Sequence, residues 1–212
     1  MYENGSKGKL IFIVAAALAI AFFVWKGGRT RAIAGIPDPV QTDIEDKMID
    51  TVFDGYNLHI NCRYSYDIEG LAVSVHSYNG GSLGDTLARR DVALAWGQVA
   101  AYNKAVDFKW RQSGRWYFYK YPDSSYMEKL GGPQGISEHS SNNHLVATDA
   151  SVRKKIKKIR KGDHIRIKGY LVDITAENDK GYHFNWGSSY TRSDTGDHSC
   201  EVIYVTDVMW LD

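Results

Sequence analysis

Two polar segments contain the residue types that acid–base catalysis, metal binding and anion binding require. Residues 138–144 read EHSSNNH, and residues 188–198 read SSYTRSDTGDH. Imidazole and carboxylate groups can transfer protons or bind a divalent metal, and the planar fork of arginine suits carboxylate or phosphate. The candidates for these roles are His139, His144, Arg192, Asp194, Asp197 and His198.

These candidates fit two functions, because none of their spacings is diagnostic. Asn, Ser and Asp are also common turn residues, and a histidine in a loop is usually only solvated. The sequence has no P-loop, dinucleotide fingerprint, HExxH, GxSxG or CxxC motif. It therefore predicts a non-catalytic envelope module that binds a protein partner or an envelope polymer, with no cofactor and no metal. The alternative is a hydrolase using His139 or His144 with Asp194, Asp197 or His198, with or without a metal.

A run of seven cations between Arg153 and Lys161 predicts a basic helix. Asp149 or Ser151 could cap it, Gly162 ends it, and three apolar residues form a narrow stripe along it: Val152, Ile156 and Ile159. As a functional surface the helix would contact an anionic envelope component, either lipid headgroups or polysaccharide, or nucleic acid, through Lys154, Lys155, Lys157 and Lys158. The alternative is a solvated face of a structural helix.

The charge of the whole chain is nearly balanced, with 26 Lys and Arg against 25 Asp and Glu. This excludes a globally basic surface and argues against nucleic acid as the partner.

The two cysteines, Cys62 and Cys200, allow two interpretations. In an exported domain they could form a disulfide, and closing so long a loop would stabilise the fold by about 4 kcal/mol on the chain-entropy model. Alternatively they are two thiols that behave as small hydrophobic side chains.

An apolar run without interruption, LIFIVAAALAIAFFVW, predicts a membrane anchor over residues 10–26. It comes after a short tail, residues 1–9, and precedes a linker, residues 27–41, and one domain, residues 42–212. The alternative is a signal peptide cleaved after Ala34. Lys26, Arg29 and Arg31 argue against cleavage, because signal peptides avoid charge between the apolar run and the cleavage site.

Two rules conflict on the orientation of this anchor. The charge count on either side slightly favours a cytoplasmic domain, whereas a short tail before the apolar run is typical of a signal anchor that exports the C-terminal domain. We expect a single-pass protein of the bacterial inner (cytoplasmic) membrane whose domain faces the periplasm or exterior.

The first part of the domain is predicted to be a helix followed by a long strand. Thr42 to Glu45 fits a capping box, and Ile44, Met48 and Val52 share one helical face. From Tyr56 apolar and polar residues alternate as in a half-buried strand, with a change of phase at Gly70.

The remaining pattern predicts a short helix over Asp91–Tyr102, a hairpin around Ser113-Gly114, and a long loop from Pro122 to Asn143. Three strands close the chain: His164–Ile174, Tyr182–Trp186 and Cys200–Trp210. The predicted fold is mainly β, with α+β as the alternative: a small curled sheet or an OB- or SH3-like barrel with one or two short helices.

Several segments resemble those of a group of uncharacterised bacterial proteins anchored in the membrane by a single span. The resemblance rests on DVALAWG, SGRWYFY, SSNNHL, KGDHIRIKGYLVDI and SSYTRSDTGDHSCEVIYV, which together cover most of the domain. It implies a bacterial envelope setting. It implies no activity, and it assigns no catalytic residue to this chain.

Overall fold

The structure is a computed structural model, and it describes residues 11–17, 31–191 and 200–212. Residues 11–17 are helical (α1), with exposed apolar side chains such as Ile11 and Phe12. The rest of the predicted anchor, residue 10 and residues 18–26, lies outside the described residues. Within the described ranges, no helix is long and apolar enough to cross a membrane.

The domain begins with a long β-hairpin, β1 (Val40–Phe53) and β2 (Tyr56–Ser77). The helix predicted from Thr42 is therefore wrong. Asp54 and Gly55 connect the strands, and both have positive φ, 52° and 77°. Asp-Gly is the preferred sequence for this two-residue turn, whose backbone matches the twist of paired strands. Strand pairing across the turn thus prevails over the helical spacing of the apolar residues.

The middle of the chain adds two strands to the sheet and a long insertion between them. The strands are β3 (Arg90–Ala95) and β6 (Ser140–Val146). The predicted helix over Asp91–Tyr102 is wrong in its first half, and the predicted loop over Pro122–Asn143 contains two helices and the start of β6. The other elements are α2 (Leu83–Leu87), α3 (Gly97–Tyr102), β4 (Arg111–Ser113), β5 (Trp116–Phe118), α4 (Ser124–Met127) and α5 (Gly132–Glu138).

The C-terminal part agrees with the sequence prediction except at the end of the basic helix. Helix α6 spans Ala150–Ile156, with Asp149 as its N-cap. It ends before the predicted Gly162, so Lys157, Lys158, Arg160 and Lys161 come after the helix. The last three strands are β7 (His164–Asn178), β8 (His183–Gly187) and β9 (Glu201–Trp210). The predictions of a mainly β fold with few short helices and of a hairpin at Ser113-Gly114 are confirmed.

Seven strands form one sheet in the order β1-β2-β3-β6-β9-β7-β8, and β2 also pairs with β7. This additional pairing closes a ring of five strands, β2-β3-β6-β9-β7. Within the ring β6 and β9 run parallel, and the other neighbours are antiparallel. The outer strands β1 and β8 extend the sheet beside the ring.

Apolar side chains fill the ring and the space beneath its extension. The larger cluster includes Leu71, Leu94, Trp96 and Ile167, all fully buried. The smaller one includes Leu58, Ile60 and Val172 and is covered by Leu83 and Leu87 of α2. The long β2 and β7 contribute to both clusters, so they hold the two halves of the core together.

Gly169 in β7 marks a register shift against β9, between Lys168 and Gly169. A Cβ at this position would lie 2.2 Å from the Tyr204 carbonyl oxygen, so only glycine allows the two strands to approach. The register shift at this glycine therefore reflects close contact between the two backbones.

The segment predicted as a linker is attached to the domain from Arg31 onward. Ile36 is buried, and its carbonyl accepts a hydrogen bond from the amide of Gly97. Arg31 forms an ion pair with Asp212, and its carbonyl accepts a hydrogen bond from the Asn103 side chain. The last two residues of the predicted linker already belong to β1.

Candidate functional site

The centre of the sheet contains a strand of buried polar residues. Ser140, Ser141, Asn142, Asn143 and His144 of β6 are all buried. Their neighbours across the sheet are also charged or polar, since His144 pairs in register with Asp91 of β3 and Asn143 with the buried Glu201 of β9. Buried polar groups are costly unless they have partners, so the contacts of this cluster define what it can do.

Arg115 is the cationic centre of the cluster. It occupies the turn between β4 and β5, where Gly114 and Arg115 have φ of 58° and 72°. Its guanidinium donates to Asp85 Oδ1 at 2.6 Å and to Asp91 Oδ1 at 2.8 Å. It also donates to two carbonyl oxygens of the α2 segment, those of Gly84 and Ala88. Four acceptors around one planar fork hold this side chain in a fixed position.

The Tyr78 ring forms one wall of the Arg115 site. The guanidinium carbon lies 3.6 Å from the centre of this ring, close enough for a cation–π interaction. The Tyr78 hydroxyl accepts a hydrogen bond from the Arg115 amide at 3.0 Å. Burial, and after it the charge of Asp91, raises the pKa of Tyr78 to about 12. The hydroxyl therefore stays neutral at physiological pH.

His144 lies beside the same carboxylate. Its Nδ1 is 3.0 Å from Asp91 Oδ1, although the two groups are not aligned as a hydrogen bond. Its ring contacts Trp186 of β8, with the ring centres 4.9 Å apart. Only 3% of His144 and none of Asp91 is exposed. A general base must reach its substrate, and this pair is enclosed by Arg115 and Trp186.

Amide side chains connect the β4–β5 hairpin to β6. Asn142 Nδ2 donates to the Arg115 carbonyl at 2.8 Å, and Asn142 Oδ1 accepts from Gln112 Nε2 at 2.6 Å. The Tyr117 hydroxyl contacts Ser140 Oγ at 3.2 Å, and burial raises the pKa of Tyr117. The polar strand thus serves as a docking surface for the hairpin.

The described part of the second polar segment lies against this cluster. Ser188 Oγ accepts a hydrogen bond from the amide of Val202, which is the register partner of His144 on β9. Arg192, Asp194, Asp197 and His198 lie outside the described residues. The hydrolase alternative, which combines residues of both polar segments, therefore stays a prediction.

His139 lies apart from His144. It ends α5, its Nδ1 is 2.7 Å from the Gly135 carbonyl oxygen, and its Nε2 is 3.9 Å from Asp38. His144 comes five positions after His139 along extended chain, which is roughly 16 Å at the rise of a β-strand. The structure therefore does not bring His139 and His144 into one site.

The four lysines predicted to bind an anion all lie on or just after α6 and are exposed. Asp149 accepts hydrogen bonds from the amides of Ser151 and Val152, which fixes the start of the helix. Lys155 forms an ion pair with Asp207 at 2.6 Å. In the part of the chain that the structure describes, no carboxylate contacts Lys154, Lys157 or Lys158.

A groove of about 630 Å³ runs between α6 and the segment that joins β2 to β3. Five of its lining residues are basic, and no described aspartate or glutamate lines it: Arg89, Arg90, Arg153, Lys154 and Lys157. Apolar side chains complete the lining, among them Phe53, Leu87, Leu145 and Ile156.

Both cysteines are present as thiols within the residues that the structure describes. Burial raises the pKa of the Cys62 thiol. Cys200 Sγ lies 3.8 Å from the Arg115 carbonyl oxygen, so it belongs to the polar cluster. Of the two interpretations of the cysteines, a disulfide or two thiols, the structure therefore has the two thiols.

In residues 11–17, 31–191 and 200–212, no three His, Cys, Asp or Glu side chains come together as a metal site.

Comparison of the chain with protein-family models, with curated proteins and with solved structures gave no match in any of the three.

Sequence reasoning points to His144, which lies in the buried cluster, but misses the two residues that organise this cluster, Asp91 and Arg115. Asp91 lies in an apolar stretch, and Arg115 comes after a turn glycine, so neither has a motif around it. The available signal is the hairpin itself, because a residue at the tip of a tight turn can extend over a neighbouring strand.

Proposed function

We propose that this chain is a non-catalytic module, tethered to the bacterial cytoplasmic membrane through residues 10–26, that binds an anionic component of the cell envelope. The observation that carries the proposal is the contrast between two sets of polar residues. The histidine and carboxylates of the central cluster are enclosed and held by Arg115. Three cations of the groove beside α6, Arg89, Lys154 and Lys157, are exposed and pair with no carboxylate among the described residues.

The enclosed cluster supports a structural function for His144. Catalysis at this position would require the ring to reach a substrate, whereas its surroundings are Asp91, Trp186 and the β4–β5 hairpin. The hydrolase alternative also depends on Asp194, Asp197 and His198, which lie outside the described residues. The described contacts therefore favour the binding module.

The strand order supports an OB-type barrel. Five strands close a ring in which the third and fifth run parallel, and helix α6 connects the third strand to the fourth. A five-stranded, partly open Greek-key barrel of this kind is the OB-fold, one of the two barrels that the sequence predicts.

The apolar run supports the tether, and the short tail before it supports export of the domain to the outer side of the membrane. The attached segment from Arg31 to Ile36 adds a geometric argument. Only residues 27–30 separate the predicted end of the anchor from Arg31, and four residues span at most roughly 14 Å. The domain would therefore lie close to the membrane surface.

Binding of an anionic polymer tests this function. We expect full-length protein in phosphatidylcholine nanodiscs to bind fluorescent dextran sulfate, measured by fluorescence anisotropy, and to release it as the salt concentration rises. Replacing Lys154, Lys155, Lys157 and Lys158 by Gln should weaken binding. Neutral dextran is the control probe. No binding at low salt, or binding that salt does not affect, would contradict the proposal.

A further inference from the structure

We propose that the groove beside α6 binds the anionic headgroup and upper acyl chain of a phospholipid. This inference rests on the proposed function and names its ligand class. It also restricts the lysines of the site to Lys154 and Lys157, and it adds Arg153 of the same helix and Arg89 of the segment before β3.

The groove offers positive charge from two directions. Lys154 and Lys157 come from the α6 side, and the exposed Arg89 comes from the segment before β3. No described carboxylate pairs with any of these three side chains, so their charge is available to a ligand. A phosphate between them would be reached by cations from both walls, a stronger arrangement than one charged face.

Two further arginines line the groove but are held by the protein. Arg90 donates to the carbonyl oxygens of Lys157 and Ile159, both at 2.6 Å, and Arg153 donates to the carbonyl of Thr148. Their positions are thereby fixed, and they add to the positive potential without first having to be ordered by a ligand.

The remaining lining fits a hydrocarbon chain better than a sugar or a free phosphate. Phe53, at the tip of the β1–β2 hairpin, is half-buried and contributes apolar surface, and the buried Leu87 of α2 also lines the groove. The Arg153 guanidinium lies 5.4 Å from the centre of the Phe53 ring, which places cationic and apolar surface next to each other. A ligand with a charged head and an apolar stem matches both.

The position of the groove relative to the tether supports a lipid as the source of the phosphate. Arg31 Nη1 lies 3.4 Å from the carbonyl oxygen of Gly162, the residue that ends the basic segment. The chain therefore enters the domain beside the end of this segment, and four residues separate that point from the predicted anchor. With the anchor in a membrane, the end of the basic segment would lie close to the lipid headgroups.

The two other lysines of the helix provide a matched control. Lys155 pairs with Asp207, and neither Lys155 nor Lys158 lines the groove. Replacing them removes the same charge from the same helix as replacing Lys154 and Lys157. If a lipid binds in the groove, replacing Lys154 and Lys157 should weaken binding more than replacing Lys155 and Lys158. If the helix is only a positive surface, the two double variants should lose the same affinity.

Titration of water-soluble lipids into full-length protein in phosphatidylcholine nanodiscs tests the proposal. We expect dihexanoyl-phosphatidylglycerol to bind, dibutyryl-phosphatidylglycerol to bind more weakly, and dihexanoyl-phosphatidylcholine not to bind above the level of empty nanodiscs. Glycerol 3-phosphate should bind at least tenfold more weakly than the dihexanoyl lipid. The Lys154→Gln/Lys157→Gln variant should lose about tenfold or more in affinity, and Lys155→Gln/Lys158→Gln less than about threefold.

Each other result overturns a defined part of the proposal. Equal losses in the two double variants, with circular dichroism unchanged, would place the ligand outside the groove and leave the proposed function standing. Equal binding of glycerol 3-phosphate and lipid would make the ligand a free phosphate. Binding of dextran sulfate without lipid binding would also refute the inference alone. If neither probe binds, the proposed function fails as well.

Discussion

Arg115 connects several separate parts of the molecule. Its guanidinium bonds to the α2 segment and to β3, and its carbonyl accepts from Asn142 of β6. The carboxylate of Asp91 has no exposure to solvent, so it depends on this cation for compensation. The residue thus determines whether the buried cluster is stable.

Replacing Arg115 by Ala should lower the free energy of unfolding by about 3–5 kcal/mol, because it leaves the Asp91 carboxylate buried without its cationic partner. Urea unfolding of the full-length protein in neutral detergent, followed by tryptophan fluorescence, measures this. The matched control is Arg166→Ala. Arg166 also contacts an aspartate through two nitrogens, at 2.7 Å each, but is 41% exposed, so its loss should cost about 1 kcal/mol or less. Equal costs for the two variants would refute the central role of Arg115.

The site can be predicted from the sequence only in part, and its individual residues show why. The sequence points to His144, because this residue belongs to one of the two polar segments. The meeting of Arg115 with Asp91 cannot be predicted, since it depends on how the β4–β5 hairpin folds over the sheet. No local spacing encodes that contact.

At the scale of elements, β1 shows how a local pattern can mislead. Ile44, Met48 and Val52 have helical spacing, yet they belong to a strand in which most side chains are exposed. The Asp54-Gly55 turn contains the correct signal, because it comes after Val52 and Phe53 and precedes an unmistakable strand. Turn chemistry should be given more weight than a capping-box match when the two disagree.

The polar strand β6 escapes prediction for a different reason. Its sequence begins SSNNH, residues that favour turns, and all of these residues are nevertheless buried between two strands. Tertiary hydrogen bonds from Asn142 and Asn143 compensate for their poor strand propensity. In contrast, β2 and β7 are predictable because each buries alternate apolar residues.

Replacing Gly169 by Ala should destabilise the domain by about 1–3 kcal/mol or prevent folding, because the added Cβ would lie 2.2 Å from the Tyr204 carbonyl oxygen. The clash is between the new Cβ and a backbone oxygen, so no side-chain rotation relieves it. Urea unfolding provides the measurement. Gly81→Ala is the control, since nothing lies within 4 Å of its Cβ, and its effect should stay within about 1 kcal/mol. Similar stabilities for the two variants would show that β7 and β9 can separate at this point.

At the scale of the whole molecule, the short connection to the predicted anchor restricts where the domain can be. Ile33 and Ile36 bind the domain through backbone hydrogen bonds to Ala100 and Gly97. With residues 10–26 in a bilayer, as we propose, the domain would stay close to the point where the chain leaves the membrane. That restriction would favour ligands at the membrane surface over distant partners.

Full-length protein should remain in the membrane fraction after washing with alkaline carbonate, because we expect residues 10–26 to span the bilayer. Immunoblotting of pellet and supernatant measures this, and a chain that begins at Arg31 should be released. Mass spectrometry of the mature protein provides an independent test. An N-terminus at Gly35 would mean that the apolar run is a cleaved signal peptide.

The pairing of β2 with β7 also has a consequence for how the chain reaches this structure. Tyr56 pairs with Asn178 and Leu71 with His164, so most of the domain's sequence lies between the partners. Ordering so long a loop costs entropy before the contacts compensate for it, and such topologies fold slowly. The ring also cannot close until β9 has left the ribosome. In a chain whose anchor enters the membrane first, β2 would therefore lack its partner β7 during synthesis. We expect chaperones to bind the β1–β2 hairpin before folding is complete.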